Sequence, residues 1–335
     1  MEYVVCKTCV MDNTAKEFVK TETGCNFCDT AGQSLKDIEK DKLKLPDFIT
    51  DIKRQKGQYD CLIGMSGGVD SSYLLHKAVE MGLKPLCFSV DNGWNDPKAD
   101  ENIMRLVETL KVPFYRYTID LKKFKDLQAS FITAGQRNLE IPTDHILMAT
   151  TYDMANKYGI KWILSGGNVA TESIMPASWG YNARDLVHIK DVYGKSLKGL
   201  PTLSLLKWNY YRWVKKIKIF YLLDYLTYNR EEAIKILSDK YGYIPYGDKH
   251  GESEFTKWFQ NFYLYEKFGI DKRKAHYSSL IVSGQMTRKE ALERLNETLY
   301  YPKLGIENRV LNYKEKTGFK TDNYNLVAKI IKCVS

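Results

Sequence analysis

The chain has 335 residues, 44% of them apolar, and a formal net charge of +9, enough length and apolar content for two or three packed domains. No run of eighteen uncharged apolar residues occurs, which argues against a spanning helix. The start MEYVVCKTCV lacks the basic-then-apolar pattern of a secretory leader, so a cytoplasmic protein is expected. The positive charge concentrates anionic partners without choosing among nucleic acid, membrane and phosphorylated metabolites.

In chain order, residues 1–33 come first as a cysteine module. Cys6-x2-Cys9 and Cys25-x2-Cys28 are separated by fifteen residues, a spacing that fits a closed tetrahedral zinc site. Such a site is structural and lets a short segment fold without a core. Four free thiols or an iron–sulfur cluster are the alternatives. Residues 34–57 are charged and read as a linker with a short amphipathic helix.

Residues 58–202 then alternate strand and helix signals. Strands are expected at 59–65, 84–90, 113–119 and 161–165, and helices at 71–81, 98–110 and 143–158. Cys61 and Cys87 fall mid-strand and are expected in the core. This pattern predicts an α/β fold with a parallel, doubly wound sheet covered on both faces. Ligands of such sheets sit beyond the strands' carboxyl ends, which here are 66–68, 91–93 and 166–168. From 203 to 335 helical periodicity dominates, at 203–226, 231–241, 255–268, 272–283 and 287–296. A mainly helical second domain for substrate or partner is therefore expected.

The segment Ser66-Gly67-Gly68-Val69-Asp70-Ser71-Ser72 lies where the first strand turns into a helix. Backbone N–H groups at a helix start attract anions. Gly67 and Gly68 admit close approach, and the hydroxyls of Ser66, Ser71 and Ser72 add donors. The chemistry is that of a phosphate cradle; the plain alternative is a glycine-rich cap without a ligand. Neither a Walker A loop nor a G-x-G-x-x-G fingerprint is present. Asp70 is placed either to share Mg²⁺ with a polyphosphate or to complement the helix N-terminus. Gly167 and Asn168, with Glu172, form either a turn with its cap or part of a nucleotide or substrate site.

The loop resembles the SGGxDSS signature of the ATP pyrophosphatase (PP-loop) superfamily. That resemblance implies that it holds the pyrophosphate released when ATP adenylates a substrate, and that Asp91 and Gly93 meet the nucleoside. Segments 243–256 (YIPYGDKHGESEFT) and 273–287 (RKAHYSSLIVSGQMT) look like parts of the N-acetyl sugar amidotransferases. With the cysteine pairs and the loop, the likeness runs over almost the whole chain. It implies an enzyme that uses ATP and Mg²⁺ to adenylate an acetamido group on a bacterial sugar, nucleotide-linked or in a glycan. Ammonia would then displace AMP to leave an acetamidino sugar, in O-antigen, lipopolysaccharide or flagellin glycosylation. Ile244 and Pro245 depart from the family's usual aromatic-Arg-Asp-Tyr start.

The likeness further implies Lys249 and His250 as cations, Glu252 as acceptor of a proton from ammonia, and Asp70 as catalytic. Arg273 and His276 share one helix face. Each of these is equally readable as a surface or ion-paired helix residue. No cysteine sits in a nucleophile elbow, so a separate glutaminase with ammonia-channelling subunits is implied as partner. A homo-oligomer stays open, and nucleic acid is not expected.

Two other function classes compete. A tRNA sulfurtransferase would need a mobile thiol past the loop, where only Cys87 and Cys333 occur. A nucleic-acid or membrane module would use 203–226, whose aromatics alternate with Lys and Arg. A helix that buries those aromatics and exposes its lysines is the preferred reading.

Overall fold

The computed structural model describes residues 2–246, 251–305 and 307. Two short crossings, Val5 opposite Asp12 and Lys20 opposite Cys25, fold the N-terminal segment into paired turns. Helix α1 (Asn26–Asp41) starts inside the second cysteine pair, and α2 (Leu45–Lys53) follows closely. The stretch expected as linker is thus helical over most of its length.

The central sheet is built from β1 (Cys61–Gly64), then α3 (Val69–Glu80), β2 (Pro85–Asp91), α4 (Pro97–Leu110) and β3 (Phe114–Thr118). Helices α5 (Leu121–Thr133) and α6 (Ile141–Lys157) lead to β4 (Trp162–Leu164). Helices α7 (Val169–Glu172), α8 (Leu186–Tyr193) and α9 (Leu205–Asn209) precede β5 (Lys218–Phe220). All pairings are parallel, in the order β3-β2-β1-β4-β5. The winding reverses at β1, so a crevice opens at the carboxyl ends of β1 and β4.

Period-two alternation sends Leu62, Leu86, Phe88 and Ile163 to one face, against Phe124 and Phe131 of α5 and Ile146 of α6. It sends Ile63, Cys87, Leu164 and Phe220 to the other, against Leu74 and Leu75 of α3 and Leu106 of α4. With both faces covered, the strands read as apolar runs rather than alternating ones. Cys61 and Cys87 are core residues, as expected. The fold is the α/β, parallel, doubly wound sheet anticipated from the sequence.

The helix expected over 203–226 does not form as one piece. α9 runs on through a π-helical turn (Tyr210–Val214), Lys216 takes the left-handed conformation at φ 57°, and the chain enters β5. Ile217, Ile219 and Phe220 are β-branched or aromatic, and the open edge of β4 offers them a ladder that local periodicity cannot reveal. Beyond it lie α10 (Arg230–Tyr241), α11 (Glu254–Trp258), α12 (Leu264–Phe268), α13 (Lys272–Val282) and α14 (Arg288–Leu295). α11 and α12 are one run joined by a π-helical turn, Phe259–Tyr263, which buries Trp258, Phe259 and Tyr263. No helix among the described residues is long and apolar enough to cross a membrane.

Candidate nucleotide site and metal centre

Between β1 and α3 the chain must turn back along the sheet, and Gly67 makes that turn at φ 79°. A Cβ there would lie 2.3 Å from the carbonyl oxygen of Ala99 in α4, so only glycine fits. Gly68 is the N-cap of α3, and among the described residues no side chain makes a cap bond there. The N–H groups of its first turn are therefore available to an anion. Ser66 Oγ accepts from Gly68 N at 3.1 Å and lies 3.2 Å from Ser71 Oγ. Tyr243 Oη donates to the carbonyl of Gly67 at 3.3 Å. Ser72 Oγ is buried with no hydrogen-bond partner among the described residues.

The loop faces a cavity of about 250 Å³ lined by Ser66, Gly68, Asp70, Ser71, Gly167, Glu172 and Glu252, together with Arg230, Tyr243 and Tyr246. The structure thus brings Ser66, Gly68, Asp70, Ser71, Gly167, Glu172 and Glu252 of the sequence-derived residues to one place, although Glu252 is 182 positions from Asp70. Two backbone bonds hold the Glu252 segment there: Asp96 N donates to Glu252 O at 2.8 Å and Glu254 N to Trp94 O at 2.9 Å. Asp70 accepts a hydrogen bond from Tyr228 Oη. Burial, and then the Asp70 charge, push the Tyr228 phenol up. Among the described residues, three carboxylates and one arginine line this space, so accompanying cations would favour entry of a polyphosphate.

Other expected residues lie apart. Gly67, within the loop, and Ser72, in the first turn of α3, do not line this cavity. Asp91 Oδ1 accepts from Gly93 N at 3.0 Å, a tight turn outside the cavity wall. Asn92 between them does line a second, larger cavity of about 660 Å³, which shares Gly64, Ser66 and Glu252 with the first. Asn168 caps α7 by accepting from Thr171 N at 2.9 Å. Arg273 and His276 line a third cavity of about 300 Å³ that shares Arg230 and Tyr246 with the first. Arg273 also grips Asp271 at 2.8 Å and the carbonyls of Arg294 and Glu297. Lys249 and His250 lie outside the described residues.

Sequence reasoning missed Arg230, Glu140 and Lys272. Glu140 precedes α6 and lines the larger cavity, where it accepts from Thr256 Oγ1 at 3.2 Å. Burial, reinforced by the charge of Asp144, pushes its carboxyl up to about 8. It is therefore largely protonated at neutral pH and can donate a hydrogen bond. Lys272, on the wall shared by the second and third cavities, is held down to about 8 by burial. Nothing in the sequence around either residue marks it; both acquire their character from packing.

The four N-terminal cysteines converge. Their sulfurs lie within 4.8 Å of one another, with Cys6–Cys28 at 3.8 Å, Cys9–Cys25 at 3.9 Å and Cys25–Cys28 at 3.7 Å. A tetrahedral ion with metal–sulfur bonds of about 2.3 Å has edges of about 3.8 Å. A multi-iron cluster, whose thiolates bind different irons, would hold them farther apart. Backbone N–H groups of Thr8 and Cys9 donate to Cys6 Sγ at 3.3 and 3.4 Å, a knuckle that stabilises thiolate charge. The cluster fits a zinc ribbon. It is bolted to the C-terminal helices: Arg288 donates to the carbonyls of Cys9 and Cys6, both at 3.0 Å. Val10 N donates to Ser278 Oγ at 3.2 Å, and Asp12 pairs with Lys274. Glu17 accepts from the N and Oγ of Ser178 at 2.6 and 2.7 Å.

A family model described as the C-terminal domain of WbpG-like LPS biosynthesis proteins matches residues 252–331. An uncharacterized protein of Methanocaldococcus jannaschii is 26% identical over 168 residues, 48% of this chain and 58% of that protein. The match thus spans less than two thirds of that relative. Among solved structures, the NMN synthetase from Francisella tularensis shows a TM-score of 0.31 and 15% identity, covering 63% of this chain and 98% of that one. The NH3-dependent NAD synthetase from Campylobacter jejuni shows a TM-score of 0.32 and 17% identity, covering 63% and 99%. Similarity at those scores carries no chemistry across.

Proposed function

We propose that the chain is an ATP-dependent amidotransferase of the PP-loop type, acting in lipopolysaccharide or related surface-glycan biosynthesis. It adenylates an acetamido group of a sugar, nucleotide-linked or in a glycan, and replaces the oxygen with ammonia. The observation that carries this reading is the uncapped start of α3, framed by Ser66, Gly68 and Ser71, opening into a cavity that also holds Glu252. The WbpG-like match, which begins at residue 252, supports the glycan context.

An amide oxygen leaves poorly and must first become a phosphate ester. In this scheme the acetamido oxygen bonds to the α-phosphorus of ATP and pyrophosphate departs. The first-turn N–H groups of α3, that of Ser72 among them, and the hydroxyls of Ser66 and Ser71 hold that pyrophosphate. Arg230 offsets its charge, and Lys249 and His250 add to it from the segment before Glu252. Asp70 and Glu172 are the residues that would hold Mg²⁺, which neutralises the polyphosphate when bound. The larger cavity at the end of β2 takes the nucleoside, with Asp91 and Gly93 shaping its turn and Asn168 fixing Gly166 and Gly167. Glu252 then accepts a proton from ammonia as it adds to the imidate carbon and AMP leaves. We assign ammonia supply to a separate glutaminase subunit, and Zn²⁺ to Cys6, Cys9, Cys25 and Cys28 as a structural ion. A thiolation reading gains no support from Cys87, which is buried within β2.

The test incubates the chain with ATP, Mg²⁺, ammonium and nucleotide-linked diacetamido sugars. AMP and pyrophosphate should appear in equal amounts, with a sugar product whose mass has exchanged O for NH. Formation of ADP and orthophosphate would overturn the reading.

A further inference from the structure

The stretch 205–221 carries Lys207, Arg212, Lys215, Lys216 and Lys218 and no acidic residue. Its helical part buries Tyr211 and partly buries Trp208 against the sheet's flank. The other side does not behave as a lysine-covered surface. Leu206, Tyr210, Trp213 and Val214 recur at the i, i+4, i+7, i+8 spacing of one helix face, and with Leu205 they stand in solvent. Leu205 is 72% exposed, Leu206 83%, Trp213 70% and Val214 65%. The reading in which this segment buries its aromatics is therefore corrected for Tyr210 and Trp213.

Single exposed apolar side chains are ordinary, but a contiguous cluster of leucine, valine, tyrosine and tryptophan marks a binding surface. Cations stand at the same level as the rings. The Arg212 guanidinium lies 5.3 Å from the Trp208 ring centre and 5.6 Å from that of Trp213, and Lys215 Nζ lies 5.5 Å from that of Tyr210. Among the described residues, Lys207 alone of the five is tied to a neighbouring carboxylate, Asp153. A partner must therefore be apolar at the centre and negative around it. An anionic bilayer offers both, with phosphates at the level of the cations and acyl chains just below.

We propose that this face docks the protein on an anionic membrane surface. Leu205, Leu206, Trp213 and Val214 enter the headgroup–acyl boundary, and Arg212, Lys215, Lys216 and Lys218 contact lipid phosphates. The segment ends at the site: Tyr221 Cε1 lies 3.2 Å from where a Cβ on Gly167 would stand. The proposal stands independently of the amidotransferase reading, because its assay measures lipid binding and no turnover.

The full chain is sedimented with phosphatidylcholine vesicles made with and without phosphatidylglycerol, at low and high salt. Binding should be on the order of a hundredfold stronger with the anionic lipid and should weaken with salt. Lys215→Gln/Lys216→Gln/Lys218→Gln should remove most of that preference, and Leu206→Ser/Trp213→Ser should weaken binding by about tenfold. All these positions are exposed, so the melting temperature of each variant should match the parent and report an intact fold. Equal sedimentation with and without phosphatidylglycerol, or binding that neither variant changes, overturns the proposal. So does a soluble dimer abolished by Trp213→Ser, or RNA binding tighter than vesicle binding and lost in the same variants.

Discussion

Gly68→Ala separates space from backbone strain at the loop. Gly68 sits at φ −72°, which alanine accepts. Its new methyl would lie 3.1 Å from Ser66 Oγ and 3.3 Å from both Glu252 Oε1 and Tyr246 Oη, inside normal contact distance. It would stand where a phosphate oxygen has to approach the first turn of α3. Losing one charge-assisted hydrogen bond costs about 1.5–3 kcal/mol, so ATP affinity should fall by about 10- to 100-fold. The fold loses much less: glycine to alanine at a helix N-cap costs about 1 kcal/mol, or a few degrees of melting temperature. Calorimetric titration with Mg²⁺–ATP, run beside thermal melts, reads both quantities. Gly67→Ala is the contrast, since its methyl meets the Ala99 backbone at 2.3 Å and should disrupt the packing of α4. If Gly68→Ala melts like the parent and still binds ATP with the parent's affinity, polyphosphate is not held at this turn.

Further predictions follow from the surroundings of the loop. Elemental analysis should find one zinc per chain, and Cys25→Ser should lose it and melt at a lower temperature; a metal-free parent of equal stability would contradict the cluster's role. Glu140 keeps in the fold a proton that the unfolded chain releases near 4.5. Its contribution is therefore complete below that value and is lost as pH rises toward about 8, with an upper bound of about 5 kcal/mol. Urea midpoints of Glu140→Gln should be flatter across that window, and an unchanged slope would show that Glu140 is not neutral in the fold. Lys272, lowered from 10.5 to about 8, acts only above that window: stability rises with pH between the two values. Glu252→Gln should preserve ATP–pyrophosphate exchange yet slow amidine formation by about a hundredfold or more; equal loss of both would place Glu252 in the adenylation step instead.

The sheet was legible because its signals are local. Short apolar runs that stop at Gly, Ser or Asp turns mark β1, β2, β3 and β4, and helix starts beside them are capped or glycine-led. The loop was legible for the same reason, since strand, turn and helix are consecutive in the chain. β5 was hidden because three residues of strand have no periodicity of their own and depend on the edge of β4. Helix α5 was missed because its lysines at 122, 123 and 125 mask the buried stripe of Phe124, Leu127, Gln128 and Phe131. Arg230 carries no sequence mark beyond following the cap Asn229, and it reaches the loop only because α10 packs on α3. Glu140 and Lys272 are unusual only once burial strips their water, which no single-sequence pattern records.

The bolt between the ribbon and α13 and α14 joins residues 268 to 282 positions apart. During synthesis the cysteine module emerges first, yet its seat does not exist until nearly three hundred residues have been made. Contacts of such separation form late and slowly. An ion captured early would keep the nascent module compact while it waits, so metal starvation should show itself first as poor yield of folded protein rather than as a less stable finished chain.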